Sequence, residues 1–319
     1  MKDTFTTNQQ DIRIDLLLSQ KYPDYSRSYF ANLIKTGHVH VNKKLIKPSY
    51  LIQPDDEITI EFLEKKGIFS LLPEKISLDI VYEDIDVIVV NKQPGLVVHP
   101  AAGNEEGTLV NALINYFPKI REAVYQKGNP VSESRPGLVH RLDKDTSGLI
   151  IVAKNARAMH SLSRQIQNRT ITKIYLALCA GWPRKETGTI VSYLGRDPKD
   201  RRKIAEVGME KGREAISDFK VLKCMTNHQG DKVSLLEFNI HTGRTHQIRV
   251  HAKSLGHPVL GDPFYFNAES SRLTKKYSIK RQLLHAFQLT VTLPGEERPS
   301  TFEAPLPDDF DELLDKFVE

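Results

Sequence analysis

Residues 139–150, VHRLDKDTSGLI, place two carboxylates, Asp143 and Asp145, just behind His140 and Arg141 and ahead of a small-residue turn. Thr146, Ser147 and Gly148 form that turn and lead into the apolar run LIIVA. Asp143 is therefore expected on a loop entering a strand, where a rigid scaffold can present a side chain. Cations this close keep a carboxylate ionised. An ionised Asp suits a nucleophile or a base and makes a poor general acid at neutral pH. A solitary loop Asp would as readily cap a turn.

Two other readings of the reactive residues fail on their context. DKDTSG mimics the D-x-D-x-T loop of haloacid-dehalogenase-like phosphotransferases, whose first Asp must sit at the end of a buried strand. Here His140 and Arg141 interrupt the run and the apolar strand follows the acids. A metal site could use His241, His246, His251 and His257, but their spacing scatters them around a helix, whereas ligand pairs need a return to one face every three or four residues. No metal is expected.

The elements that must position these groups fall into two units. Residues 1–62 read as a small module. DIRIDLLLSQKY has Ile12, Leu16 and Leu17 at helical spacing, with Ile14 and Leu18 broadening the stripe. YSRSYFANLIKTGHV follows as a second helix, with Ser26 or Ser28 as its cap and Gly37 as its stop. HVHVN, a KK turn and the alternating DEITIEF complete a hairpin. Arg13, Arg27, Lys35, Lys43, Lys44 and Lys47 lie near it. On SRSYFANLIKTGHVHVN the module resembles the S4 RNA-binding domain. Residues 63–76, with KKG and Pro73, are expected to be a linker.

Residues 77–319 are expected to form one α+β catalytic domain around a mixed, largely antiparallel sheet. DIVYEDIDVIVVNKQPGLVV reads as two strands joined at EDID, and GLIIVAKN as another. ARAMHSLSRQIQNRTI is a surface helix with Met159, Leu162 and Ile166 on one stripe. TKIYLALCAG alternates, with Ile174, Leu176 and Leu178 on one face and Tyr175, Ala177 and Cys179 on the other. AISDFKVLKC and KVSLLEFNI add strands, and RTHQIRVHAKSLG reads as a helix ending at Gly256. The absence of a regular strand–helix alternation argues against a doubly wound parallel sheet.

RPGLVHRLDKDTSGL, KIYLAL and TGRTHQIRVHAKSLGHPVLGDPFY together resemble the signature segments of the RluA-class pseudouridine synthase family, and the resemblance covers nearly the whole chain. It implies an isomerase that cuts a uridine's C1′–N1 bond, turns the uracil and rejoins it through C5. Atoms and electrons balance, so no cofactor is implied. By this resemblance Asp143 is the catalytic carboxylate, attacking C1′ or assisting elimination at the sugar, and Asp145 is structural. Arg249 matches the residue that pairs with the catalytic Asp, and Tyr175 the active-site Tyr. Arg141 matches a residue that enters the RNA stack when the target base is flipped out. His140, Arg244 and His246 are implied to contact the RNA. The implied partner is 23S ribosomal RNA, free or in pre-50S particles, at uridines of the helix 69 stem-loop. The alternatives are a synthase acting on tRNA or another rRNA site, and a non-catalytic RNA-binding assembly factor.

Charge and composition agree with an RNA partner. The chain carries +5 overall and −6 over 302–319, which leaves +11 on residues 1–301. A basic body suits a polyanion. The acidic end reads as a tail. Two cysteines, Cys179 and Cys224, argue against a disulfide framework and for a reducing compartment. MKDTFTTNQQ is no secretory leader, and no apolar run approaches the ~18 residues a membrane helix needs. The expectation is a cytoplasmic monomer with no membrane or DNA partner.

Overall fold

The computed structural model describes residues 2–23, 25, 27–62, 71–101, 104–125 and 130–318. The N-terminal module is built from β1 (Lys2–Thr7), α1 (Ile14–Lys21), α2 (Arg27–Lys35), β2 (Val39–Val41), β3 (Lys44–Leu45) and β4 (Asp56–Glu61). Its four-stranded sheet runs β1-β4-β2-β3. Ile14, Leu17 and Leu18 of α1 pack with Phe30, Leu33 and Ile34 of α2 over Val39, Val41, Ile58 and Ile60. α1 starts two residues later than its first apolar position. Of the expected stripe, Ile14, Leu17 and Leu18 are buried, while Ile12 and Leu16 lie at its margin. α2 ends at Lys35, and Gly37 just beyond it takes the left-handed conformation, φ 79, with His38 N–H bonded to Leu33 O, as expected of a glycine stop. Ser26 lies outside the described residues, and Ser28 lies within the helix. Arg13 and Arg27 are not free: both donate to the buried carboxylate of Asp15.

The larger unit comprises β5 (Ile80–Glu83), β6 (Val87–Lys92), α3 (Leu109–Tyr116), α4 (Pro130–Glu133), β7 (Ser147–Ala153), α5 (Ala156–Gln167), β8 (Thr172–Ala180), β9 (Thr187–Arg196), β10 (Ile204–Glu206), β11 (Arg213–Thr226) and β12 (Lys232–Ile240). Then follow α6 (Gln247–Ser254), α7 (Ala268–Lys276), β13 (Leu284–Thr292), β14 (Pro299–Glu303) and α8 (Asp308–Leu314). Its sheet has ten strands in the order β10-β9-β11-β12-β8-β13-β7-β6-β5, with β14 beside β13. All pairings are antiparallel except β13 with β7. This is the mixed, largely antiparallel α+β sheet expected from the sequence.

Both faces of the central strands are covered. On β8, Tyr175, Ala177 and Cys179 join a core with α3 and α6 residues such as Leu113 and Ile248. Leu176 and Leu178 point the other way, into a core with Leu273, Phe310 and Phe317. β7 divides likewise, with Ile150 and Val152 in the first core and Leu149 and Ile151 against Met159 and Leu162 of α5. A strand buried on both faces reads as a continuous apolar run, as SGLIIVA does.

Two expectations change. Of the residues expected to form a linker, 63–70 lie outside the described residues, while Leu71 and Ile76 pack against the large core. The acidic end is not a loose tail. Residues 308–314 form α8, whose Phe310 and Leu313 are buried, with Phe317 just beyond. A charge count sees its acids, but a one-sided apolar stripe of three residues decides its place. Among the described residues, no helix is long and apolar enough to cross a membrane.

Two fully buried histidines make the fold acid-sensitive. His251 sits between the hydroxyls of Ser192 and Ser217, each 3.0 Å away. His285 lies 3.0 Å from Ser147 Oγ and 3.2 Å from Ala304 O, which fits a neutral ring that donates to the carbonyl. Burial pushes each imidazole down to about 4. An unfolded His titrates near 6.5, so below that pH the unfolded chain binds more protons than the folded one. Stability is then full above about pH 6.5 and falls as the pH drops toward 4. Melting followed by circular dichroism should show Tm falling from pH 7 to pH 4.5, with a shallower fall for His251→Gln. A flat profile over that range would refute the assignment.

Candidate active site

Asp143 is carried by a turn between buried Leu142 and β7, in which Thr146 N–H donates to Asp143 O at 3.2 Å. The turn is held from outside by two cations. Lys92, at the end of β6, is 1% exposed, and its Nζ donates to the carbonyls of Gln93, Leu96 and Lys144 at 2.8, 3.0 and 2.9 Å. Three carbonyl acceptors call for three N–H donors, hence the ammonium form. Burial works against that charge and pushes Lys92 down to about 7. Arg281 donates to Asp145 O at 3.1 Å and to both carboxylate oxygens of Asp309 on α8 at 2.6 Å. The acidic end of the chain thus fixes the far side of the Asp143 turn. Gly148 has φ +104, and a Cβ there would lie 2.3 Å from Ala286 O, so the parallel contact of β7 with β13 admits no side chain.

Arg249, on α6, reaches the turn from a position 106 residues away. Its Nη1 donates to Asp143 Oδ2 at 2.9 Å, while Nε and Nη2 donate to Asp262 at 2.6 and 2.9 Å. Asp262 also accepts the N–H groups of Phe264 and Tyr265. The guanidinium is 3% exposed and the Asp262 side chain 0%. Burial alone would lower the Arg249 pKa; the two carboxylates outweigh it and raise it, so the charge persists. One guanidinium therefore uses a fully buried carboxylate as an anchor and offers its remaining edge to Asp143, which stays partly open.

The other sequence-derived residues gather around the same cleft of about 540 Å³. Tyr175 on β8 is 6% exposed, and burial followed by the Asp143 charge raises its phenol pKa. His246 occupies the left-handed position before α6, with φ 56. That conformation starts α6 at Gln247, later than the continuous helix expected from Arg244. Its Nδ1 lies 2.9 Å from Tyr265 Oη, and its Nε2 is 3.8 Å from Asp143 Oδ2, too long for a hydrogen bond. Arg244 Nε donates to Glu214 O at 2.9 Å. Arg141 is exposed. His140 borders the cleft, but its Nε2 accepts the Ile151 N–H at 3.0 Å, which ties the ring to β7. Burial, with Lys173 adding to it, pushes that imidazole down to about 3. Asp145 does not line the cleft.

The histidines weighed as metal ligands go to separate partners. His241 meets Asp218, His257 meets Ala180 O, and His251 lies between two serines. Among the described residues, no group of three or more His, Cys, Asp or Glu could hold a metal ion.

Sequence reasoning missed Asp262, Lys92, Arg135, His99 and Lys173. Asp262 was visible as the acid of the LGDP turn, 13 residues beyond Arg249. Lys92 was visible as a lone cation closing the apolar strand VIVVNK. Among the described residues, the cleft is lined by Arg135, Arg141, Arg169, Lys173, Arg244 and Arg249 against a single acid, Asp143. Such a surface selects a polyanion and presents one carboxylate to it.

Residues 86–254 match the RNA pseudouridylate synthase family, and residues 12–58 match the S4 domain. A relative from Chlorobaculum parvum, described as an uncharacterized RNA pseudouridine synthase, is 41% identical over 97% of this chain and 94% of its own length. The ribosomal large subunit pseudouridine synthase D of Neisseria meningitidis serogroup B is 42% identical over 95% of this chain and 78% of that protein. Among solved structures, human RNA Pseudouridylate Synthase Domain Containing 1 is similar with a TM-score of 0.56 and 29% identity, over 76% of this chain and 95% of that one. Likeness at this level across almost the entire length leaves one conclusion: the chain belongs to the RNA pseudouridylate synthase family and carries an S4 domain ahead of its catalytic unit.

Proposed function

We propose that this RNA pseudouridine synthase acts on large-subunit (23S) ribosomal RNA, at uridines of the helix 69 stem-loop, as a cytoplasmic monomer. The observation that carries the chemistry is the Asp143–Arg249–Asp262 chain, 2.9 Å on one side and 2.6 Å on the other. It presents one anchored carboxylate to a basic cleft. The ribosomal target is supported by likeness to relatives named ribosomal large subunit pseudouridine synthase D.

In this reading a uridine is everted into the cleft, at a cost of a few kcal/mol. Arg141, exposed beside Asp143, enters the stack to fill the gap. Asp143 acts on the ribose, at C1′ as nucleophile or at C2′ as base, and the C1′–N1 bond breaks with its electron pair on uracil. The uracil turns and C5 bonds to C1′, as the Asp143–C1′ bond breaks in the first case or as C2′ takes its proton back from Asp143 in the second; the proton then leaves C5 while N1 gains one. Tyr175 stacks on the base. Its raised pKa makes it a neutral phenol in the free protein, better suited to hold the uracil than to start as a base. Hydrolytic glycosidases use a second carboxylate to activate water. Among the described residues this cleft has a single carboxylate, Asp143, which suits a reaction in which water must not compete for the sugar.

Sequencing of ribosomal RNA with a pseudouridine-specific chemical probe, from cells lacking the protein, should show loss of marks confined to helix 69. Unchanged marks there would refute the target. Removal of residues 1–62 should weaken binding to a helix 69 stem-loop by about tenfold, on the order of 1.4 kcal/mol, or broaden the set of uridines converted. Unchanged affinity and site choice in the truncated protein would remove the S4 domain from recognition.

A further inference from the structure

The cleft treats its cations unequally. Arg249 is paired with Asp143 and Asp262, Arg169 with Glu214, and Arg244 with Glu214 O. Arg135 stands apart from these: its Nε is buried and has no hydrogen-bond partner among the described residues. A buried donor without an acceptor is costly, and native structures rarely tolerate one without reason. The guanidinium is not there by slack in the chain. Its residue lies in a turn closed by Arg135 N–H to Ser132 O at 3.1 Å and Leu138 N–H to Arg135 O at 3.2 Å.

Its surroundings sharpen the point. His99, 5% exposed, and Arg141 line the same cleft; the two guanidiniums repel each other and both disfavour a charge on His99. Burial first, then the charges of Arg135 and Arg141, push His99 down to about 4, so the ring is neutral and keeps one N–H to donate. A cation, a second cation and a neutral donor around one space call for an anion with several acceptor oxygens. A phosphodiester fits, because a guanidinium fork matches two of its oxygens. Arg141 lies two residues from Asp143, so their Cα atoms are at most about 7 Å apart. That is about the reach of one sugar–phosphate unit, so an anion beside Arg141 can flank the ribose that Asp143 addresses.

We propose that Arg135 and His99 seat one RNA phosphodiester, that flanking the nucleotide presented to Asp143, with Arg141 alongside. The seat rests on the reading of the cleft as the uridine-isomerising site. It holds the backbone on one side of the everted nucleotide while Arg141 occupies the stack. Once the anion is bound, the repulsion between the two guanidiniums is screened and the Arg135 Nε gains its acceptor.

The test is a cycle between one side chain and one phosphate. A helix 69 stem-loop RNA is made with a single neutral methylphosphonate at each linkage flanking the target uridine in turn. Binding of each RNA is measured with the full-length protein and with Arg135→Gln and Arg135→Lys, with thermal melting as a check on folding. With the natural RNA, Arg135→Gln should weaken binding about tenfold and reduce the slope of log K against log salt by about one. Arg135→Lys should keep the slope and lose part of the affinity. One methylphosphonate should weaken binding to the unmodified protein and have no further effect in Arg135→Gln. Additive effects at every linkage, or an unchanged salt slope, would overturn the seat. Conversion of uridine by the unmodified protein is scored in parallel. Conversion without coupling refutes the seat alone, whereas no conversion of this RNA refutes the wider reading of the target.

Discussion

Asp143→Asn abolishes uridine isomerisation, to below about a thousandth of the unmodified rate, while RNA affinity stays within about tenfold. A loss of that size is on the order of 4 kcal/mol in the barrier, the scale expected when a group that acts directly on the reacting atoms is removed. The amide is nearly the same shape and cannot act as the anion the chemistry needs. The structure should barely notice. Arg249 keeps both bonds to Asp262, so the guanidinium stays in place when its Asp143 partner turns neutral. Affinity should hold or rise slightly, because a negative charge has been taken from a surface that meets phosphates. Turnover is read by pseudouridine formation in the stem-loop RNA, binding by filter retention or anisotropy. Activity above about a hundredth of the unmodified rate would remove Asp143 from the chemistry.

Some of this site is written locally and some is not. The Asp143 turn could be seen because a charged stretch runs straight into an apolar strand, and β8 because its alternation sorts Tyr175 from Leu176. The two faces then separate into different cores, as a period of two requires. The pairing of Asp143 with Arg249 is another matter. It joins residues 106 apart through the packing of α6 over the sheet, and no local pattern encodes it. Resemblance to known synthases supplied that pair; physics alone would have left each residue with an ordinary surface role. Asp262, Lys92 and Arg281 escaped for the same reason. Each looks like a turn or surface charge in sequence and becomes a buried tie only when distant strands come together. The strands β9 and β13 were also missed. β9 is half-exposed and β13 joins β7, β8 and β14, so neither needs a clean alternation. The acidic end misled because charge dominates its composition while Phe310, Leu313 and Phe317 decide where it goes.

Arg249 is where catalysis and stability meet, and substitutions there should separate the two. Arg249→Met leaves Asp262, whose side chain is fully buried, with only the N–H groups of Phe264 and Tyr265. Breaking a buried ion pair from one side costs about 3–5 kcal/mol, because the remaining charge is stranded. For a domain of this size that is a fall in Tm of roughly 6–20 °C. Isomerisation should be lost as well, since Asp143 is no longer held. Arg249→Lys keeps the positive charge but not the fork; an ammonium cannot hold both oxygens of Asp262 and reach Asp143 in the same geometry. Its melting should fall less, by about 1–3 kcal/mol, while turnover drops by about a hundredfold, on the order of 2.7 kcal/mol. Pairing Arg249→Met with Asp262→Asn removes the stranded charge and keeps an acceptor for the two backbone N–H groups. That double variant should regain much of the lost Tm and none of the activity. If it recovers activity along with Tm, Arg249 serves only to keep the fold intact; if Arg249→Met melts normally, the buried pair carries no weight in either role.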